Sequence, residues 1–139
     1  MDRDDLGFLL AKATQRWNDL LRERFSAAGW DEVRPSYGSI LVPLFEEDGL
    51  RMGELARRSR LSKQTMTTMV RLLEREGFVR RERDPEDGRA FRIVLTAKAR
   101  RFEPVAERTL AELGAFAQDL LGKRRLVSVK HALKEWIET

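Results

Sequence analysis

Five side chains between Lys63 and Arg71 have the chemistry to read a patterned polar surface: Lys63, Gln64, Thr67, Thr68 and Arg71. Donors and acceptors of these lengths suit base edges and phosphates around a major groove, and no carboxylate interrupts them. Between them Met66, Met69, Val70 and Leu73 recur at i, i+3, i+4 and i+7. The spacing predicts a helix with this apolar stripe buried and the polar face free. Ser62 stands just ahead of the run, where an N-cap is needed. A helix with such a face is expected to read double-stranded DNA.

A second polar centre follows. Gly77 is placed to end the helix, and Phe78 to Arg83 reads as a strand leading into the turn residues Asp84, Pro85, Asp87 and Gly88. In the return, Phe91, Ile93 and Leu95 alternate with Arg92 and Val94, the period of a strand buried on one face. The result is a hairpin with Arg89 near its tip. A guanidinium on a thin hairpin suits a narrow minor groove, where negative potential is concentrated. Helix and hairpin together are the layout of a winged helix-turn-helix.

Catalysis has one place to begin, the acids Asp84, Glu86 and Asp87, and they fit a turn better. A calcium loop needs alternating oxygen ligands and a distal glutamate, whereas Pro85 breaks the series and Ala90-Phe91 follows it. No glycine-rich phosphate loop, nucleophile elbow or histidine base accompanies them, so an enzyme is not expected and no cofactor is implied. The absence of cysteine excludes disulfides, thiol switches and thiolate metal sites. The single histidine, His131, cannot build a zinc site alone, and its plain reading is a surface or interface residue.

The 139 residues suffice for one domain, and 42% hydrophobic with 36% charged residues is ordinary for a soluble protein. The net charge of +4 is small but unevenly placed. Residues 1–50 hold 6 Lys/Arg against 10 Asp/Glu, 51–92 hold 12 against 7, and 93–139 hold 9 against 6. The middle segment, which carries helix and hairpin, is the most basic, as a DNA-facing region should be. The acidic start, Met1-Asp2-Arg3-Asp4-Asp5, is no signal peptide, and no apolar run approaches the ~20 residues of a membrane span. The expected location is the cytoplasm, with no membrane partner.

Both chain ends read as amphipathic helices that a lone winged domain does not require. Leu6, Leu9, Leu10, Ala13, Trp17, Leu20 and Leu21 form one stripe. Leu113, Phe116, Leu120 and Leu121, then Leu126, Val129, Leu133, Trp136 and Ile137, form two more, separated at Gly122. Such faces must be covered, either within one chain or by a second copy. A homodimer would present two reading helices to successive major grooves, so a pseudo-palindromic site with half-site centres ~10 bp apart, or a multiple, is expected.

These features resemble the MarR-type transcriptional regulators, over nearly the whole chain. The specific elements are the wing Asp84-Pro85-Glu86-Asp87-Gly88-Arg89-Ala90 followed by Leu95-Thr96, the stretch Ser62-x-x-Thr65-x-Thr67, and Glu54-Leu55-Ala56 upstream. The resemblance implies a mainly α fold with a small β-hairpin wing, one domain over 1–139. Within it, about 36–96 would form the winged DNA-binding lobe, and about 5–28 with 97–139 a helical dimerisation lobe. It implies that Ser62 caps the recognition helix, Asp87 braces the wing and Arg89 probes the minor groove. It also implies a dimeric repressor released by a small aromatic or anionic effector, with Trp17, Trp30, Arg34 and Tyr37 as candidate effector contacts.

The chain departs from the family pattern at Thr68, where arginine is common, and at Arg71, where an acid is common, so base preferences do not transfer. Arg60 occupies a tight turn where glycine is usual, and Pro43 and Pro104 fall in expected helices. The rival reading is a winged helix that binds a protein and no DNA, since fold alone does not set function.

Overall fold

The computed structural model describes residues 2–139. Six helices and a small sheet follow one another as α1 (Leu6–Ala27), α2 (Gly38–Glu46), β1 (Leu50–Arg51), α3 (Met52–Ser59), α4 (Lys63–Arg75), β2 (Val79–Arg83), β3 (Phe91–Leu95), α5 (Ala97–Leu121) and α6 (Lys123–Ile137), with a 3-10 turn at Pro35–Tyr37 before α2. The fold is a mainly α winged helix-turn-helix, as the patterning predicts. Residues up to Val105 form one compact unit and Ala106–Thr139 a second.

In the first unit each helix contributes one apolar face. Ile40, Leu41 and Leu44 of α2, Leu55 of α3, and Met66, Val70 and Leu73 of α4 are fully buried, together with Tyr37, Phe78 and Ile93. Each such side chain contributes ~1.5–3 kcal/mol relative to exposure. Pro43 lies inside α2 without ending it. Its missing N–H leaves the Ser39 carbonyl without its helical donor, and the Ser59 hydroxyl of α3 donates to that oxygen at 2.6 Å. Pro104 is likewise contained within α5.

Three helix ends close alike. After α4, the Phe78 N–H reaches Leu73 O at 2.9 Å and the Gly77 N–H reaches Glu74 O at 3.0 Å, with Gly77 at φ +83°. After α1 the same pair of bonds runs from Trp30 to Phe25 and from Gly29 to Ser26. This is the Schellman ending, which places one residue in the left-handed region. After α3 that residue is Arg60, at φ 54°, with Leu61 bonded to Ala56 O. A side chain there costs ~1–2 kcal/mol, against the ~0.5–1 kcal/mol that glycine loses in unfolded-chain entropy.

The sheet order is β1-β3-β2, antiparallel throughout. Val79 faces Leu95, Arg81 faces Ile93, and Leu50 of β1 pairs with Ile93 from the other side. Ile93 and Leu95 are buried as the alternation predicts, but Phe91 is 39% exposed. Phe91 lies towards the tip of the hairpin, beyond the buried positions of β3, with the Arg83 guanidinium 5.5 Å from its ring centroid. The outer strand β2 guards its free edge with charge, the usual protection of an edge strand.

At the base of the wing Asp84 is buried, with its side chain out of solvent. Its carboxylate accepts from the Glu86 N–H at 2.9 Å and from Arg51 Nε, and Arg92 Nε stands 3.4 Å away. The Glu86 amide, and then the two guanidiniums, hold this carboxyl at about 2 instead of the ordinary 3.8. The tip is closed separately: Asp87 Oδ1 accepts from the Arg89 N–H at 3.1 Å, and the Ala90 N–H donates to Asp87 O at 3.0 Å.

The apolar side chains of α6 are open, although Ala106, Thr109 and Leu113 on the α5 part of the second unit are buried. α6 has no buried residue, and Val127, Val129, Leu133, Trp136 and Ile137 are all exposed apolar side chains. Gly122, at φ +81°, separates α5 from α6. In the first unit, Leu6, Leu9 and Trp17 of α1 are exposed too, and of the predicted α1 stripe only Leu21 is buried. No helix of the described residues is long and apolar enough to cross a membrane.

Two stability predictions follow from these local geometries. Arg60→Gly should stabilise by about 0.5–1 kcal/mol, read as a higher denaturant midpoint at unchanged slope; a lower midpoint would show that the Arg60 side chain outweighs the backbone cost. Because the Asp84 carboxyl is depressed in the folded state, its contribution is complete above about pH 4 and is lost as pH falls towards about 2. Asp84→Asn should therefore lower stability at pH 7 and flatten the acid limb between those values. The limb would not flatten fully, since Arg57 and then Arg58 hold Glu54 at about 2 as well. An unchanged acid limb in thermal unfolding would remove Asp84 from this role.

Candidate nucleic-acid interface

The exposed face of α4 is built by its cap. Ser62 Oγ accepts from the Thr65 N–H at 3.2 Å and lies 2.9 Å from Thr65 Oγ1, so its hydroxyl is committed to starting the helix. Met66, Val70 and Leu73 then anchor the buried side, which turns Lys63, Gln64, Thr68 and Arg71 to solvent. Thr67 is half-buried at the border. The Thr67 hydroxyl donates to Lys63 O at 2.9 Å and the Thr68 hydroxyl to Gln64 O at 3.1 Å. With their protons spent on the backbone, these threonines offer outward an acceptor oxygen and a methyl group, whereas Gln64 and Arg71 supply donors. That mixture suits a major-groove edge, where thymine methyl groups lie among donors and acceptors.

Charge is focused by pairing elsewhere. Arg57 and Arg58 engage Glu54, with Arg58 also reaching Glu47, while Arg81 pairs with Glu74, Arg80 with Glu82, and Arg51 and Arg92 with Asp84. Among the described residues Lys63 and Arg71 make no ion pair. Arg89 has only Asp87, at 3.6 Å, and its side chain is 94% exposed. The basic middle third thus presents its unneutralised charge on the α4 face and at the wing tip.

Asp87 holds the tip turn and Asp84 holds the base. Asp84 was legible in the sequence only as a turn acid. Arg92 lies on the strand that pairs with the residues leading into Asp84, and it was the available signal of a buried charge cluster. Arg83 is a further contributor, donating from Nη1 to Gly88 O at 2.5 Å across the tip.

The candidate effector residues fall in different settings. Tyr37 is buried with its ring 6.0 Å from Phe78, and burial, reinforced by Glu76, pushes its hydroxyl upward. Trp30, half-buried, packs on Phe102 at 5.2 Å and on Phe78 at 6.2 Å. Arg34 is exposed at the start of the 3-10 turn. Trp17 stands apart on the exposed part of α1. His131 lies on α6 with Nε2 2.7 Å from Glu135 Oε1, and no metal-holding group of His, Cys, Asp or Glu occurs among the described residues.

Residues 35–91, which include α4 and most of the wing, match the model of the MarR family. A curated relative, the HTH-type transcriptional repressor YetL of Bacillus subtilis, is 32% identical over 98 residues, 69% of this chain and 57% of its own length. Another, the HTH-type transcriptional regulator TtmR of Methylorubrum extorquens, is 44% identical over 66 residues, 48% of this chain and 33% of its own. The match thus spans about a third to somewhat over half the length of these relatives. Among solved structures, the transcriptional repressor CouR bound to a 23-mer DNA duplex superposes with a TM-score of 0.81 at 22% identity, covering 99% of this chain and 98% of that one. The segment that carries the α4 face and most of the wing is the part of this chain that matches the MarR family.

Proposed function

We propose that this chain is a sequence-specific, double-stranded DNA-binding transcriptional regulator that acts as a homodimeric repressor on a pseudo-palindromic operator. One observation carries the reading. The capped helix α4 presents Lys63, Gln64, Thr68 and Arg71 without a carboxylate among them, on the same compact unit as a wing whose tip arginine is exposed. The charge pairing behind that face supports it, because it leaves cations where phosphates would approach and neutralises them elsewhere.

The dimer is supported by the open apolar side chains. Leu120 at 66% and Trp136 at 62% exposure are costly to leave in water, and a second copy of the chain is the partner that twofold operators require. A winged helix that binds protein and not DNA would have no use for an unpaired, carboxylate-free reading face.

The deciding test is fluorescence anisotropy against a duplex selected from a random pool, at ~150 mM salt with random competitor, where non-specific attraction is weak. Saturation at two subunits per duplex is expected. Arg89→Ala should weaken binding to all sequences and reduce the salt slope by about one, whereas Gln64→Ala or Arg71→Ala should cost on the order of 1–3 kcal/mol on the selected site alone. Failure to select any sequence, with binding lost equally on all DNA, would favour the protein-binding alternative. For assembly, sedimentation should give twice the 16.2 kDa chain mass, and Trp136→Glu should yield a folded monomer with much weaker operator binding. A wild-type monomer, or a variant that still dimerises through this face, would sink the assembly claim.

A further inference from the structure

We infer that Lys98 is a positioning residue for DNA reading: from the first turn of α5 it fixes the C-terminal end of α4, and so sets how Gln64, Thr68 and Arg71 meet a groove. The inference rests on the DNA-binding reading above.

Lys98 does not behave as a solvated surface lysine. Its Nζ donates to Glu76 O, the C-cap carbonyl of α4, at 2.7 Å. The same ammonium lies 4.6 Å from the centroid of the Phe78 ring and 3.8 Å from Glu32 Oε1. Its stem runs over Gly77, where an added Cβ would meet Lys98 Cδ at 3.7 Å. One side chain therefore gathers the C-cap carbonyl of α4, the residue that leads into the wing, and the segment after α1. A cation is favoured there twice, by the negative end of the helix dipole and by the aromatic face.

The neighbours of this contact are rigid. Phe78 is fully buried and packs edge-on against Tyr37 and Phe102. Thr96 Oγ1 donates to Gly77 O at 2.6 Å and accepts from the Ala99 N–H at 3.3 Å, so the cap of α5 and the end of α4 share one hydroxyl. Lys98 adds a charged contact to this latch. α4 has 13 residues, so it is about 20 Å long, and it is held at its start by Ser62. Loosening its far end lets the helix pivot. Base-edge hydrogen bonds tolerate only tenths of an ångström, whereas attraction to phosphates tolerates much more. Loss of the latch should therefore reduce discrimination more than general DNA affinity.

The test compares the full chain with Lys98→Met, which keeps the stem over Phe78 but loses charge and donor, and with Lys98→Arg. A third variant, Lys98→Gln, serves if the methionine variant does not fold. Each is titrated on the selected duplex and on random DNA, and its amide exchange is measured. The expected result is about a tenfold loss on the selected duplex, comparable to losing one base contact. Random-DNA affinity and its salt slope should be unchanged, the arginine variant restored, and exchange faster at Glu76–Phe78 but not at Thr65 and Met66. Equal losses on both DNAs with a smaller salt slope would make Lys98 a phosphate contact and overturn the inference. So would an unchanged ratio or unchanged exchange. A wild-type chain that binds neither duplex would remove the DNA-binding reading and the inference with it, a failure distinct from the variant-only ones.

Discussion

At the C-terminal end of α4 a helix must stop, turn and become a wing strand without leaving its last carbonyls unpaired. Gly77 makes the turn by taking the left-handed conformation, and Phe78 closes it through its bond to Leu73. The remaining acceptors are then claimed by α5: Gly77 O by Thr96, Glu76 O by Lys98, and Phe78 O by the Thr96 N–H at 3.1 Å. Reading helix, wing and long helix thus share a single junction, and the need to satisfy buried backbone groups places them relative to one another. Lost pairing there would expose polar groups next to Phe78, which is fully buried.

The second organising factor is charge. A segment this rich in arginine repels itself unless its charges are paired, and its acids sit where they divide the cations into two populations. Glu54 and Glu82 bind arginines of their own helix and strand, whereas Glu74 ties α4 to β2 through Arg81 and Asp84 ties β1 to the base of the wing through Arg51. Lys63, Arg71 and Arg89 stay outside this network or at its margin, each projecting from a backbone fixed by apolar packing or by a turn. Internal pairing and external reading are two uses of one composition.

What was legible in the sequence was local. Ser62, Gly77 and Gly122 announced helix ends because capping and left-handed turns depend on residue type within a few positions. Met66, Met69, Val70 and Leu73 marked the inner side of α4 by period, with Met69 only half-buried at its border, and Ile93 and Leu95 marked the buried side of β3. Phe91 broke the same alternation because period predicts a face, not how far the core extends under it. β1 went unread, since a two-residue strand exists only by pairing with Ile93 and Arg92 far along the chain. Non-local chemistry stayed hidden for the same reason. Asp84 meets Arg51 across 33 positions, Lys98 meets Glu76 across 22, and the carbonyl freed by Pro43 is met by Ser59, 20 positions from Ser39. Arg60 was visible as an unusual turn residue, and its cost is explained by the left-handed φ it adopts.

Hydroxyl-radical and methylation footprinting of a selected operator with the full chain would test the central claim most directly, because it reports both grooves at once. Two α4 faces on a dimer should protect major-groove positions in two windows with centres ~10 bp apart or a multiple, flanked by minor-groove protection where Arg89 enters. The flanking protection should vanish in Arg89→Ala while the major-groove windows persist. A single window, or wing protection without any in the major groove, would contradict reading by α4.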